Sequence, residues 1–132
     1  MRFSDGMSSN TSVVALDLSG QGLEDEVGVI LARILITNTT LRKLDVEGNN
    51  FGPATASAFG EALSQNKTLV YLSLQSNPIT RGAKDTSGIE ALADMMEKNT
   101  TLLGLNLSNT AIGPKGGKFI AQSLEVCKCV CF

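Results

Sequence analysis

The sequence predicts an α/β solenoid of about four strand–helix units, and three observations predict it. An apolar phrase recurs as Val13-x-x-Leu16-x-Leu18, Leu41-x-x-Leu44-x-Val46, Leu69-x-x-Leu72-x-Leu74 and Leu102-x-x-Leu105-x-Leu107, with starts 28, 28 and 33 residues apart. A fixed period in this range marks stacked structural repeats. Each phrase is followed by a segment whose apolar residues recur at helical spacing. Asparagine stands three residues before every phrase, at Asn10, Asn38, Asn66 and Asn99, and Cys127 takes the next such position.

Taken in order, the first unit offers a short strand around Leu16 and a helix face of Ile30, Leu31, Ile34 and Leu35. In the second, Leu41, Leu44 and Val46 point one way while Lys43, Asp45 and Glu47 alternate with them and point the other. Gly52-Pro53 then opens a helix, since proline is tolerated at the first helical position, where its missing N–H has no partner to lose. Ala58, Phe59, Ala62 and Leu63 make its apolar face, and Asn66 is expected to end it in the left-handed conformation that asparagine tolerates. The third unit repeats the plan, with Leu92, Met95 and Met96 on its helix. It carries five extra residues around Thr80-Arg81-Gly82-Ala83-Lys84-Asp85-Thr86-Ser87-Gly88, read as a surface loop or a partner-contacting loop. Gly113-Pro114 opens the fourth helix as Gly52-Pro53 opens the second, and Phe119, Ile120 and Leu124 face inward. The units run at about 13–40, 41–68, 69–101 and 102–129, within one domain, 1–132.

One unit cannot bury both its strand face and its helix face, so stability must come from stacking neighbours. Asn49 and Asn77 occupy equivalent places just after the second and third phrases, where Gln21 and Thr110 stand in the outer units. A buried amide there is expected to bond the backbone of neighbouring turns.

A repeat of 28 residues with this phrase and a full helix resembles the leucine-rich repeat of the ribonuclease-inhibitor type, over about residues 10–130. The resemblance implies a horseshoe with a parallel sheet on its concave face. The runs Glu97-Lys98-Asn99-Thr100-Thr101-Leu102-Leu103 and Asn38-Thr39-Thr40-Leu41 look like the C-terminal repeat domain of tropomodulins, which cap actin filaments. That likeness implies a capping module, although the helical actin- and tropomyosin-binding segments of that family have no counterpart in the sequence. Ran GTPase-activating protein and the terminal repeats of nucleotide-binding innate sensors share the consensus, but the acidic tail of the former has no match.

Composition narrows the function. Eleven Lys and Arg against thirteen Asp and Glu give a net charge of −2, with no basic run to suit nucleic acid. Histidine is absent and no Gly-x-Ser-x-Gly is present, so the expectation is no enzyme and no cofactor. Gly113-Pro114-Lys115-Gly116-Gly117-Lys118 departs from the phosphate-loop pattern in both its spacing and its final Phe119. Asp17 and Asp45 hold equivalent strand positions, which explains the pair without acid–base work. The five Asn-x-Ser/Thr sequons at Asn10, Asn38, Asn66, Asn99 and Asn106 read as structural. The first residues carry no apolar signal core and no apolar stretch approaches a membrane span, so a cytoplasmic setting is expected.

What remains is a surface. The outward strand positions form the rows Ala15–Lys43–Tyr71–Gly104, Asp17–Asp45–Ser73–Asn106 and Ser19–Glu47–Gln75–Ser108. Parallel sheets normally have both faces covered, so an open one is a place for a partner. The expected function is a non-enzymatic scaffold docking a protein or peptide through Lys43, Asp45, Glu47, Tyr71, Ser73, Gln75 and Asn106, with Tyr71 as the aromatic anchor. The tail offers a different class. Cys129-Val130-Cys131-Phe132 fits a prenylation box and would make Cys129 a lipid attachment point for a membrane adaptor; otherwise Val130 and Phe132 begin a fifth repeat. The ends lack polar capping units, which predicts end-to-end self-association.

Overall fold

The computed structural model describes residues 6–7 and 10–126. Its elements alternate as β1 (Ala15–Asp17), α1 (Asp25–Thr37), β2 (Lys43–Asp45), α2 (Pro53–Leu63), β3 (Tyr71–Ser73), α3 (Ser87–Lys98), β4 (Gly104–Asn106) and α4 (Gly113–Val126). The strands form one parallel sheet in the order β1-β2-β3-β4. Leu16, Leu44, Leu72 and Leu105 lie in register across it, as the period requires. Among the described residues each helix packs only on its sequence neighbours, α1 on α2, α2 on α3 and α3 on α4. This is the leucine-rich α/β repeat fold the phrase predicts.

The core lies between the sheet and the helix row. Leu44, Leu72 and Leu105 meet Leu31, Phe59 and Leu92, all at most 2 % exposed. Burying a leucine or phenylalanine this fully contributes about 1.5–3 kcal/mol. The helices lie close because small residues stand between them. A Cβ on Gly28 of α1 would come within 2.1 Å of Thr55 Oγ1 on α2, and one on Gly60 within 2.7 Å of the Ala91 backbone on α3.

Two local expectations are corrected. Ile30 does not belong to the buried face of α1: it is 37 % exposed, and Ala32 and Gly28 are buried instead. Asn38 and Asn99 cap their helices in extended backbone (φ −74° and −76°), and Asn66 is not among the residues with positive φ. The reason is visible in their bonds. Each Oδ1 accepts from the amides two and three residues on, an Asx turn that leads the chain into the strand. Each Nδ2 donates back to the preceding unit: Asn38 to Met7 O, Asn66 to Leu35 O and Asn99 to Leu63 O, all at 2.7 Å. The three amides are buried in this ladder.

A second ladder runs under the turns after the strands. Asn49 Oδ1 accepts from the amides of Gln21 and Leu23 at 3.0 Å, and its Nδ2 donates to Leu18 O and Val46 O. Asn77 repeats this with the Phe51 amide, Val46 O and Leu74 O. Both amides reach the preceding unit, so Gln21 of the first unit has no turn to bridge and stays exposed. The Thr110 hydroxyl donates to Leu107 O of its own turn, at 2.6 Å. The missing link between the third and fourth units is supplied from the other side, by Thr80 Oγ1 donating to Thr110 O and Ala111 O.

Candidate protein-interaction surface

The three outward rows fall where the spacing places them. Ala15, Lys43, Tyr71 and Gly104 are register partners, as are Asp17, Asp45, Ser73 and Asn106. Ser19, Glu47, Gln75 and Ser108 follow just beyond the strands, joined by amides of Gly20, Gly48 and Ser76 that donate across to Glu47 O, Gln75 O and Ser108 O.

Tyr71 organises the centre. Lys43 Nζ lies 5.3 Å from its ring centroid, a cation–π distance. On the other side the ring lies over Gly104, where a Cβ would come within 2.8 Å of Tyr71 Cδ2. Glycine at that strand position is therefore what lets the ring lie across the sheet. Lys43, Tyr71 and Gly104 come from three units, so sequence reading alone lines them up without showing this stacking.

The acidic residues are held by their own turns. Asp17 Oδ1 accepts from the Ser19 hydroxyl at 2.6 Å and its amide at 2.9 Å. These two bonds, with Lys43 adding charge, hold the Asp17 carboxyl below the ordinary carboxylate range. Asp45 Oδ1 accepts from the Glu47 amide at 3.0 Å. Carboxylates fixed in Asx turns present negative charge, and a lowered pKa makes Asp17 a poor proton donor.

Of the expected contact residues, Lys43 is exposed, and Asp45, Glu47, Tyr71, Gln75 and Asn106 are half-buried. Asn106 Nδ2 donates to Gln75 Oε1 at 2.7 Å, so these two form one polar unit. Ser73 departs from the expectation of an accessible contact: it is 1 % exposed, and its hydroxyl has no hydrogen-bond partner. Cys129 lies outside the described residues. Among the described residues no group of His, Cys, Asp and Glu is placed to hold a metal ion, and no helix is long and apolar enough to cross a membrane.

The extra loop of the third unit does not stand free. Besides Thr80, it sends Arg81 back over α2, where Nη2 sits 3.3 Å from Asp25 Oδ2 of the first unit. Asp25 Oδ1 meanwhile accepts from the amides of Gly52 and Thr55 and from the Thr55 hydroxyl at 2.6 Å. It supplies to α2 the capping oxygen that Gly52 lacks. Burial alone would push the Asp25 carboxyl up, but the donors on α2 and the Arg81 charge outweigh it and hold the carboxyl below its ordinary value.

One feature escaped the sequence reading. Leu105, Leu107, Ile112, Ile120 and Leu124 line an open cavity of about 510 Å³ at the β4 side, with Tyr71 and Asn106 on its rim.

The comparisons with known proteins agree with this geometry. The leucine rich repeat family profile matches residues 37–60, 65–81 and 98–121, and the chain is a leucine-rich-repeat protein. Within that class its repeats are similar to those of leiomodin-1. Leiomodin-1 of Rattus norvegicus is 30 % identical over 115 residues, which cover 87 % of this chain and 19 % of leiomodin-1. The chain thus spans about a fifth of the length of that curated relative. The solved structure of leiomodin-1 actin-binding site 2 superposes with a TM-score of 0.73 at 26 % identity, covering 93 % of this chain and 70 % of that one. The tropomodulin C-terminal domain of Caenorhabditis elegans superposes with a TM-score of 0.68 at 12 % identity, over 92 % of this chain and 89 % of that one, a likeness of fold alone.

Proposed function

We propose that this chain is a non-enzymatic, cytoplasmic protein-binding module whose partner docks on the concave sheet face. The observation that carries the reading is the Lys43–Tyr71–Gly104 stack: a rigid aromatic ring laid across three strands of an otherwise polar, uncovered sheet. Tyrosine in such a place is a favoured anchor. Around it Asp45, Glu47, Gln75 and Asn106 supply a polar rim with negative charge toward β1 and β2. Ser73 forms the buried floor and is reached only if a partner displaces the side chains above it.

Actin is the specific partner this reading favours. The support is the likeness to the actin-binding site 2 of leiomodin-1, together with the tropomodulin-like runs at Asn38 and Asn99. The capping role then follows as the runner-up to a general scaffold. In actin co-sedimentation and pointed-end elongation assays the wild type should bind, and Tyr71→Ala with Glu47→Lys should weaken binding at least about tenfold, the effect of about 1.4 kcal/mol. The double variant should keep its unfolding midpoint. Binding retained by a folded double variant would move the site to the helix face or the Thr80–Asp85 loop. No actin binding by the wild type leaves the scaffold reading with another protein, to be sought by comparing wild type and double variant in cytosol pull-downs.

A further inference from the structure

We propose that the concave face takes its protein partner by an arginine, whose guanidinium enters beside Asp45, Glu47 and Ser73 on the two inner strands. This rests on the reading of that face as the docking surface, and it names the chemistry the partner must carry. Charge is the first observation. Asp45 stands in register with Asp17, and like charges opposite each other on neighbouring strands repel. Glu47 follows two residues after Asp45, on the same side. Among the described residues the one ion pair is Arg81–Asp25, so none of these three carboxylates has a cation at ion-pair distance. Lys43 is the one cation in the three outward rows and shares β2 with Asp45. Its Nζ nevertheless lies over the Tyr71 ring. Asp45 Oδ1 accepts from the Glu47 amide, and its Oδ2 has no donor among the described residues.

The second observation is Ser73, the register partner of Asp45 on β3. Leu72 before it is a core residue, so alternation sends the Ser73 side chain out on the concave side. The residue is 1 % exposed, and its hydroxyl is the one buried side-chain polar atom without a partner among the described residues. Its neighbour along the row is already engaged. Asn106 Nδ2 donates to Gln75 Oε1 at 2.7 Å, and Asn106 Oδ1 accepts from the Ser108 amide at 2.9 Å. Buried hydroxyls normally have a partner, and this one sits next to unneutralised carboxylates. A ligand that donates hydrogen bonds and carries positive charge satisfies both at once. Among the described residues no group of His, Cys, Asp and Glu is placed to hold a metal ion, so the cation is an organic one. A guanidinium suits the place better than an ammonium. Its planar fork reaches two acceptors together, and its weaker hydration lets it leave water for a buried floor. Tyr71 stands two residues before Ser73 on the same side, so one partner segment can use both.

The test is an amide chemical-shift titration of the isotope-labelled full chain with the peptide acetyl-Gly-Ala-Arg-Ala-Gly-amide, carried to millimolar concentration. The amides of Asp45, Glu47 and Ser73 should shift and saturate. The same peptide with citrulline, the neutral isostere of arginine, should leave them in place, and the lysine peptide should bind at least about threefold more weakly. Asp45→Asn keeps the oxygen that the Glu47 amide needs, and it should weaken arginine binding at least about fivefold; Ser73→Ala should weaken it at least about threefold. Ser73→Ala also separates a site from a structural role. Removing an unpaired buried hydroxyl should leave the unfolding midpoint unchanged or higher while binding falls. Shifts confined to other residues, equal binding of the citrulline or lysine peptide, or wild-type binding by Ser73→Ala each overturn the proposal. The actin comparison of wild type with the Tyr71→Ala and Glu47→Lys double variant tells two failures apart. Actin binding lost there, beside an inert peptide, keeps docking on this face and rejects its arginine anchor. Actin binding retained there, beside an inert peptide, rejects the docking face as well.

Discussion

Leu72 of the third unit and Leu16 of the first occupy the same place in the same phrase, on register-aligned strands of one sheet. Leu72 is fully buried and Leu16 only half-buried. Asn77 and Gln21 differ likewise: the side-chain amide of Asn77 carries a bridge between turns, while the side-chain amide of Gln21 donates to Ser19 O within its own turn. Side-chain chemistry is nearly constant along the stack, and the number of neighbouring units is not. In this molecule burial is a property of position in the stack before it is a property of residue type, as expected where stability is a sum of unit and nearest-neighbour terms.

The contrast can be broken by substitution. Leu72→Ala should cost about 2–5 kcal/mol, the usual range for a buried leucine; Leu16→Ala should cost less than half as much in the same denaturant titration. Equal losses would mean that the first unit is packed as tightly as the centre. Asn77→Leu should cost about 1–3 kcal/mol, because it strands the buried Phe51 amide and the Leu74 carbonyl. Gln21→Leu should leave the midpoint within about 0.5 kcal/mol, as for other surface changes.

The smallest effect sharpens the comparison at its border. Asp25→Ala should lower stability by about 1 kcal/mol near neutral pH, the scale of a lost cap. The folded pKa of Asp25 lies below the ordinary 3.8, so its contribution is full above that value and is lost as pH falls through the folded pKa. Wild type and variant should therefore converge in acid. A gap that persists at pH values well below the folded pKa would show that the side chain acts by packing and not by charge. Arg81→Ala should change neutral-pH stability by no more than about 1 kcal/mol, since its ion pair is largely solvated.

Much of this was legible in the phrase. Its period gave the strands, their register, the outward rows and the proline-led helix α2, because one translation relates every unit and a single residue's place fixes its partners. What the sequence hid depends on contacts between units. The bed that Gly104 makes for Tyr71 joins residues of two different units, and the burial of Ser73 and the exposure of Ile30 break the alternation that the spacing sets. The backbone of Asn66 departs from expectation for a related reason. A local propensity for left-handed backbone lost to a long-range bond with the preceding unit. The loop at Thr80–Asp85 was visible as extra length, but its grip on Thr110 and Asp25 follows from three-dimensional reach.

That grip has one more consequence. Arg81 and Asp25 are 56 residues apart and belong to the third and first units, and among the described residues the helices and strands of those two units make no contact with each other. A strictly neighbour-coupled stack frays from its ends like a zipper, one tooth at a time. A stay cable from the first tooth to the third changes the order of opening. Loosening the first unit also slackens the third-unit loop, and the amide of Ala83, which donates to Thr80 Oγ1 at 3.0 Å, becomes a distant gauge of events at β1. Hydrogen exchange at that one amide would register fraying two units away.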